Sequence, residues 1–241
     1  MELSGCTALV TGAGVRIGRE IALGLARSGM DVAVHYRHSQ RAAEQVAEEV
    51  RALGRRAVTL EADLENLEQV QALIPAAAES LGAVDVLVNS AAVFERGTLA
   101  STTPENWSRH MDVNLRAPFF LSQAYAARLP AHRRGHIINL TDWRAFRPGI
   151  QHMAYILSKS ALVTLTRSLA LALGPQVQVN ALALGAVMAS PGEESYFERL
   201  AMRLPLGRTG DAQDVVQAVL YLLNADYVTG EVLHLTGGEH L

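Results

Sequence analysis

The chain has one cysteine, Cys6, so it has no partner for an internal disulfide, and a reducing compartment suits it. It has no stretch of basic residues: 21 Lys plus Arg face 24 Asp plus Glu, for a net charge of −3 and a pI near 6.2. That balance gives neither nucleic acid nor an anionic membrane an electrostatic reason to bind. No apolar run of the sequence reaches membrane-spanning length, and Met1-Glu2-Leu3-Ser4-Gly5 does not open a signal peptide. The histidines show no His-Glu-x-x-His pattern and no paired Cys/His spacing, so a metal site is not expected. Lysine is nearly absent as well: Lys159 is the single one, and every other basic side chain is arginine. These absences point to a soluble, cytoplasmic chain.

What is present is an alternation of short apolar runs and amphipathic stretches. Thr7–Val10, Asp31–Tyr36, Ala57–Leu60, Asp85–Asn89, His136–Leu140, Gln176–Ala183 and Glu231–Leu235 read as strands. Helical stretches fall between them: Ile17–Gly29, Arg41–Leu53, Glu65–Leu81, Pro104–Leu129, His152–Leu173 and Asp211–Leu223. This rhythm predicts βαβ units with right-handed crossovers and one α/β domain over residues 1–241. The fold expected is a Rossmann-type, doubly wound, mainly parallel sheet with helices on both faces. Ligands then bind over the carboxyl ends of the strands. Ala189–Leu206, with Pro191-Gly192 and Pro205, breaks the rhythm and reads as a lid over substrate.

Between the first strand and first helix lies Thr11-Gly12-Ala13-Gly14-Val15-Arg16-Ile17-Gly18. Glycine permits a tight turn there, and the helix N-terminus offers free N–H groups to a pyrophosphate. Arg16 adds a guanidinium suited to a phosphate or to substrate. At the end of the second strand, where NAD sites often carry an acidic residue, stands His35-Tyr36-Arg37-His38-Ser39. A guanidinium, imidazoles and a hydroxyl suit a 2′-phosphate, so the cofactor expected is NADPH/NADP+.

Tyr155 and Lys159 lie one helical turn apart in an apolar run. An ammonium near a phenol favours phenolate, so the lysine is expected to lower the tyrosine pKa and make a general acid–base pair. Alone, the spacing more often marks a surface lysine beside a core tyrosine, and the rest of the chain decides.

Taken in order, Thr11–Gly18, Asp63, Asn89-Ser90-Ala91-Ala92, Asn114, Tyr155-x-x-x-Lys159, Val179-Asn180 and Thr229-Gly230 resemble the short-chain dehydrogenase/reductase family. The resemblance covers nearly the whole chain and implies a seven-stranded sheet in the order 3-2-1-4-5-6-7. It makes Tyr155 the proton donor, Lys159 its partner and ribose anchor, and Asn114 the anchor of a water in the proton path. Asp63 and Leu64 are expected beside adenine, Asn89, Ser90 and Ala91 beside the adjoining ribose, with Gly185 and Val187 among the other cofactor contacts. Family members are commonly homotetramers, and Leu162-Leu165-Leu169-Leu173 with Val232–Leu235 offers apolar surface for packing on a neighbour or in the core.

Three positions depart from the family pattern: Asp142 for a serine, Arg16 for a glycine, and Leu184-Gly185 for Pro-Gly. An ionised carboxylate only accepts hydrogen bonds and opposes a developing oxyanion, so Asp142 suits a ring nitrogen better than a ketone oxygen. The chain resembles pteridine reductases in Arg16, in Asp142, in the His35-Tyr36 segment with Ser39, and in Phe94, although Ala92 replaces a serine contact of some of those enzymes. The resemblance implies NADPH-dependent reduction of a dihydropterin or dihydrofolate. Arg16, Phe94, Asp142 and Tyr155 would then bind substrate. The alternatives are a 3-oxoacyl or sugar carbonyl reductase of the same fold, and a non-catalytic NADP(H) sensor that binds the dinucleotide without turnover.

Overall fold

The computed structural model describes residues 2–189 and 192–241. Seven parallel strands form one sheet in the order β3-β2-β1-β4-β5-β6-β7. They are β1 Thr7–Val10, β2 Asp31–Tyr36, β3 Ala57–Glu61, β4 Val86–Asn89, β5 Gly135–Asp142, β6 Val177–Leu184 and β7 Val232–Leu235. Strands β1, β2, β4 and β5 are buried along their whole length because both sheet faces are covered by helices. On one face pack α1 (Arg16–Arg27), α2 (Gln40–Ala52) and α8 (Ala212–Asn224). On the other lie α3 (Leu67–Leu81), α4 (Pro104–Met111), α5 (Ala117–Arg128) and α6 (Met153–Leu173). Leu9, Leu87 and Ile137, side by side on neighbouring strands, are fully buried, and each contributes about 2–3 kcal/mol.

The sheet order reverses between β1 and β4, which opens a crevice at their carboxyl ends. Thr11, just past β1, ties its two rims together: its Oγ1 accepts from the Ser90 and Ala91 amides at 2.9 and 3.0 Å.

The stretch 104–129 is not one regular helix. Asp112–Arg116 forms a π-helical turn between α4 and α5, closed by the Ala117 amide on the Asp112 carbonyl. Pro118 supplies the reason. It has no amide hydrogen, so the Asn114 carbonyl four residues earlier lacks its α-helical donor.

By length and a mean hydropathy of 1.4, α6 would suffice to cross a bilayer. It instead turns Tyr155, Ser158, Lys159 and Thr166 inward against the sheet. The Leu162-Leu165-Leu169-Leu173 stripe is core-facing: Leu162 is buried, and Leu169 and Leu173 pack on the cluster beneath β4 and β5. The outward apolar side chains of α6 are Leu157 and Leu171.

The irregular stretch expected over 189–206 contains a helix, α7 (Glu194–Ala201), with apolar residues at helical spacing between charged ones. Ser190 and Pro191, part of that expected lid, lie outside the described residues.

Candidate active site

The glycine turn is shaped for close backbone approach. Gly12 has φ of 65°, and a Cβ there would sit 3.0 Å from Ala91 Cα. A Cβ on Gly14 would meet Ser39 Oγ at 2.8 Å, and one on Gly18 would collide with the Gly12 carbonyl. Helix α1 begins after Val15 with no side-chain cap and no acidic residue in its first turn, so its N–H groups and dipole face the crevice uncompensated. This turn fits the pyrophosphate of a dinucleotide. Ile17 follows Arg16 at the crevice mouth.

Around the adenine end the side chains divide. His35 points inward: Nδ1 accepts from the Gly12 amide at 3.0 Å and Nε2 donates to the Ala62 carbonyl at 3.1 Å. Burial lowers its pKa to about 4, so it is a neutral brace for the turn and no phosphate ligand. Tyr36 is likewise core, with its hydroxyl donating to Glu61 Oε2 at 3.3 Å. Arg37 and His38 are exposed, whereas Ser39 is half-buried with its hydroxyl against Gly14. Arg37 is held by Asp63 at 2.9 Å and Glu65 at 2.8 Å. Leu64 is buried in the core. The Asn89 amide is turned away from the crevice, where it donates to Asn139 Oδ1 at 2.8 Å. The Asn89 Oδ1 is buried and has no hydrogen-bond partner among the described residues.

At the other end, a cavity of about 340 Å³ gathers Asp142, Tyr155 and Lys159, with Arg16, Phe94 and Ser90 on its walls. Gly185 and Val187 close it from the β6 side. Tyr155 donates its hydroxyl proton to Asp142 Oδ2 at 3.0 Å. The Asp142 carboxylate also accepts from the Arg144 amide at 2.8 Å and pairs with the Arg144 guanidinium at 3.2 Å. Lys159 is buried, with Nζ donating to the Leu140 carbonyl at 2.7 Å and lying 5.8 Å from the centre of the Tyr155 ring.

The expectation that Lys159 lowers the Tyr155 pKa is corrected by these surroundings. Burial, followed by the Asp142 charge and its hydrogen bond, pushes the phenol well above its ordinary value. The lysine also feels burial most, which lowers its own pKa to about 8. Tyr155 thus keeps its proton and donates it in a hydrogen bond to Asp142.

Asn114 spends its side chain on structure: Oδ1 accepts from the Val93 amide at 2.8 Å, and Nδ2 donates to the Val93 carbonyl and to Ser158 Oγ, both at 3.0 Å. Its main-chain carbonyl lies four residues before Pro118, which has no amide hydrogen to donate to it. Phe94 stacks on His152, with ring centroids 4.2 Å apart and 11° between planes, and meets the Tyr155 ring edge-on at 4.6 Å.

Arg16 has φ of 52° and reaches across the crevice, donating to the Met188 carbonyl at 2.8 Å. Glu239 carries no local sequence signal, yet it lines the cavity and accepts from the Ala186 amide at 3.1 Å, with burial raising its pKa. Arg144 had one available signal, a cation two residues from an unusual acid.

This geometry agrees with the relatives. A profile described as Enoyl-(Acyl carrier protein) reductase matches residues 12–240. The chain is 32% identical to 3-oxoacyl-[acyl-carrier-protein] reductase FabG of Staphylococcus aureus, covering 98% of each chain. The chain belongs to the short-chain dehydrogenase/reductase family. It is also 32% identical to 2-dehydro-3-deoxy-D-gluconate 5-dehydrogenase of Escherichia coli, over 98% of this chain and 96% of that one. Among solved structures, FolM Alternative dihydrofolate reductase 1 from Brucella canis, complexed with NADP, superposes with a TM-score of 0.94 at 33% identity, over 100% of this chain and 96% of that one. A short-chain dehydrogenase from Burkholderia cenocepacia in complex with NADP gives 0.92 at 33%, over 99% of each. As a family member, the protein is a nicotinamide-dinucleotide-dependent oxidoreductase acting on a small molecule.

Proposed function

We propose that this protein reduces a C=N bond of a pteridine ring, in a dihydropterin or dihydrofolate-type substrate, with NADPH. The observation that carries the reading is the 3.0 Å hydrogen bond from Tyr155 to Asp142 at the cavity floor. A C=N nitrogen that gains a proton becomes cationic, and the adjoining carboxylate stabilises it. A ketone oxygen becomes anionic, and the same carboxylate repels it.

Bound NADPH supplies the hydride that forms the new ring C–H bond. Tyr155 Oη gives its proton to the adjacent ring nitrogen, and the Asp142 carboxylate orients that proton until transfer. Lys159 holds positive charge beneath the phenol and offers its remaining N–H donors to the nicotinamide ribose. The Asn114 carbonyl anchors the water that returns a proton to the tyrosine. Phe94, braced by His152, walls a slot for a flat ring, and Arg16 hydrogen-bonds the ring edge or a cofactor phosphate. Arg37 and Ser39 contact the 2′-phosphate, a reading supported by their place after β2 and by the NADP in the solved relatives.

A carbonyl reductase is the second reading, favoured by the FabG relatives and by Arg144, which offsets part of the Asp142 charge. Single-turnover oxidation of NADPH with dihydrobiopterin, dihydromonapterin, dihydrofolate and a 3-oxoacyl thioester separates the two. Turnover of the thioester alone rejects the pteridine reading, and NADPH binding with no turnover of any of them indicates a sensor. The same reading places the enzyme in the cytoplasm as a homotetramer. Exposed Phe119, Leu157 and Leu171 on α5 and α6 support assembly, and light scattering tests it.

A further inference from the structure

Beside the reaction cavity lies a second hollow of about 660 Å³, which shares Phe94, Arg144, Glu193 and Tyr196 with it. Its rim carries Arg96, Arg144, Arg147 and Arg199, against one acidic residue, Glu193. This local excess of positive charge runs against a chain whose net charge is −3. Two of the four arginines are already engaged: Arg144 pairs with Asp142, and Arg147 donates to the Leu241 carbonyl. Arg96 and Arg199 have no ion-pair partner among the described residues, and both are exposed. Trp143 and Tyr196 line the hollow between these charges.

We propose that this arginine-rimmed vestibule binds a polyanionic tail on the substrate, namely the p-aminobenzoyl-glutamate chain of a folate-type pteridine. The inference rests on the pteridine reading and narrows it to substrates with such a tail. The reaction cavity, about 340 Å³, must hold the nicotinamide and the reacting ring together, so any tail must leave it. Phe94 and Tyr196 stand at the passage between the two hollows. An aryl group leaving past Phe94 meets Tyr196 and Trp143, which suit stacking. The carboxylates beyond it meet the guanidinium forks, which bind them in bidentate fashion. A bare pterin ends before reaching the arginines and gains nothing from them.

Two measurements test this on the NADPH-loaded enzyme. The first is the ratio of kcat/KM for dihydrofolate triglutamate to that for dihydromonapterin, in wild type and in the double variant R96E/R199E. The second is calorimetric binding of p-aminobenzoyl-triglutamate, which carries no reducible ring. The ratio is expected to fall at least tenfold in the variant, and to fall in wild type as ionic strength rises. Fragment binding is expected to weaken at least tenfold. R96Q/R199Q, with a milder change of charge, is expected to lie between, and retained NADPH affinity shows that both variants fold. Pterin turnover with no preference for the tail and no fragment binding overturns the vestibule while leaving the pteridine reading intact. Fragment binding without turnover of any pterin supports the vestibule and overturns the pteridine reading. A response to the variants confined to an acidic acyl-carrier-protein substrate, without fragment binding, overturns the proposal in favour of a protein partner.

Discussion

Tyr155, thirteen residues after Asp142 in sequence, donates a hydrogen bond to its carboxylate at 3.0 Å, and the same carboxylate caps the short turn that carries Arg144. The tyrosine therefore works against a negative neighbour as well as near a positive one. Replacing Asp142 with serine removes a charge that raises the phenol pKa, so the Tyr155 titration is expected to move down, read by ultraviolet absorbance. Pterin reduction is expected to fall about 100-fold, the usual scale for a general-acid contribution. Reduction of a simple ketone is expected to rise. Equal losses for both substrates would remove Asp142 from the specificity argument.

Lys159 costs the fold stability in exchange for chemistry. Burial lowers its pKa from 10.5 to about 8, so the native state binds this proton less tightly than the unfolded chain does. The sign follows from linkage: the full cost is present below about pH 8, and it disappears as pH rises through 10.5. Lys159→Met is therefore expected to be inactive yet more stable at pH 7, by roughly 2–3 kcal/mol. That difference is expected to shrink towards zero by about pH 10.5, measured by thermal unfolding across pH. A variant less stable than wild type at pH 7 contradicts this.

His35 acts at the opposite end of the pH scale. Its pKa falls from 6.5 in the free side chain to about 4 in the fold, so the native state holds it neutral. That contribution is complete above pH 6.5 and is lost as pH falls from 6.5 to 4, an effect of about 3 kcal/mol. His136, also buried and lowered to about 4, acts in the same window. Denaturant midpoints are expected to drop between pH 7 and 4, and the drop is expected to be smaller in His35→Gln, which keeps an acceptor for the Gly12 amide.

Arg37 is the residue proposed to discriminate between the two cofactors. It is held between Asp63 and Glu65, so Arg37→Asp would bring three carboxylates together where a 2′-phosphate must sit. The KM for NADPH is expected to rise at least tenfold more than the KM for NADH. Equal changes would show that the 2′-phosphate lies elsewhere.

Most of the sheet was legible in the sequence because each strand is a short apolar run closed by a turn, and the strand ends fell within two residues of those observed. Spacing and residue type picked out Tyr155 and Lys159, the family resemblance picked out Asp142, and the fold brings all three to one cavity. Alternation along strands hid the orientation of Tyr36 and Asn89: residues flanking outward positions point inward, and only the sheet register shows which is which. The shift at Tyr155 was misjudged because spacing shows a lysine one turn away, while burial and Asp142 arise from tertiary packing. Glu239 reaches the cavity from 53 residues beyond the Ala186 amide it binds, a convergence no local pattern encodes. The π-helical turn around Asn114 had its cause in plain view, in Pro118.

Arg16 keeps a left-handed backbone, φ 52°, that glycine adopts freely and that costs an ordinary residue about 1 kcal/mol. A laboratory selection for heat resistance alone would therefore tend to enrich glycine at this position. The survivors would gain melting temperature and surrender the guanidinium at the mouth of the crevice, so stabilised libraries of this enzyme call for a parallel screen of substrate affinity.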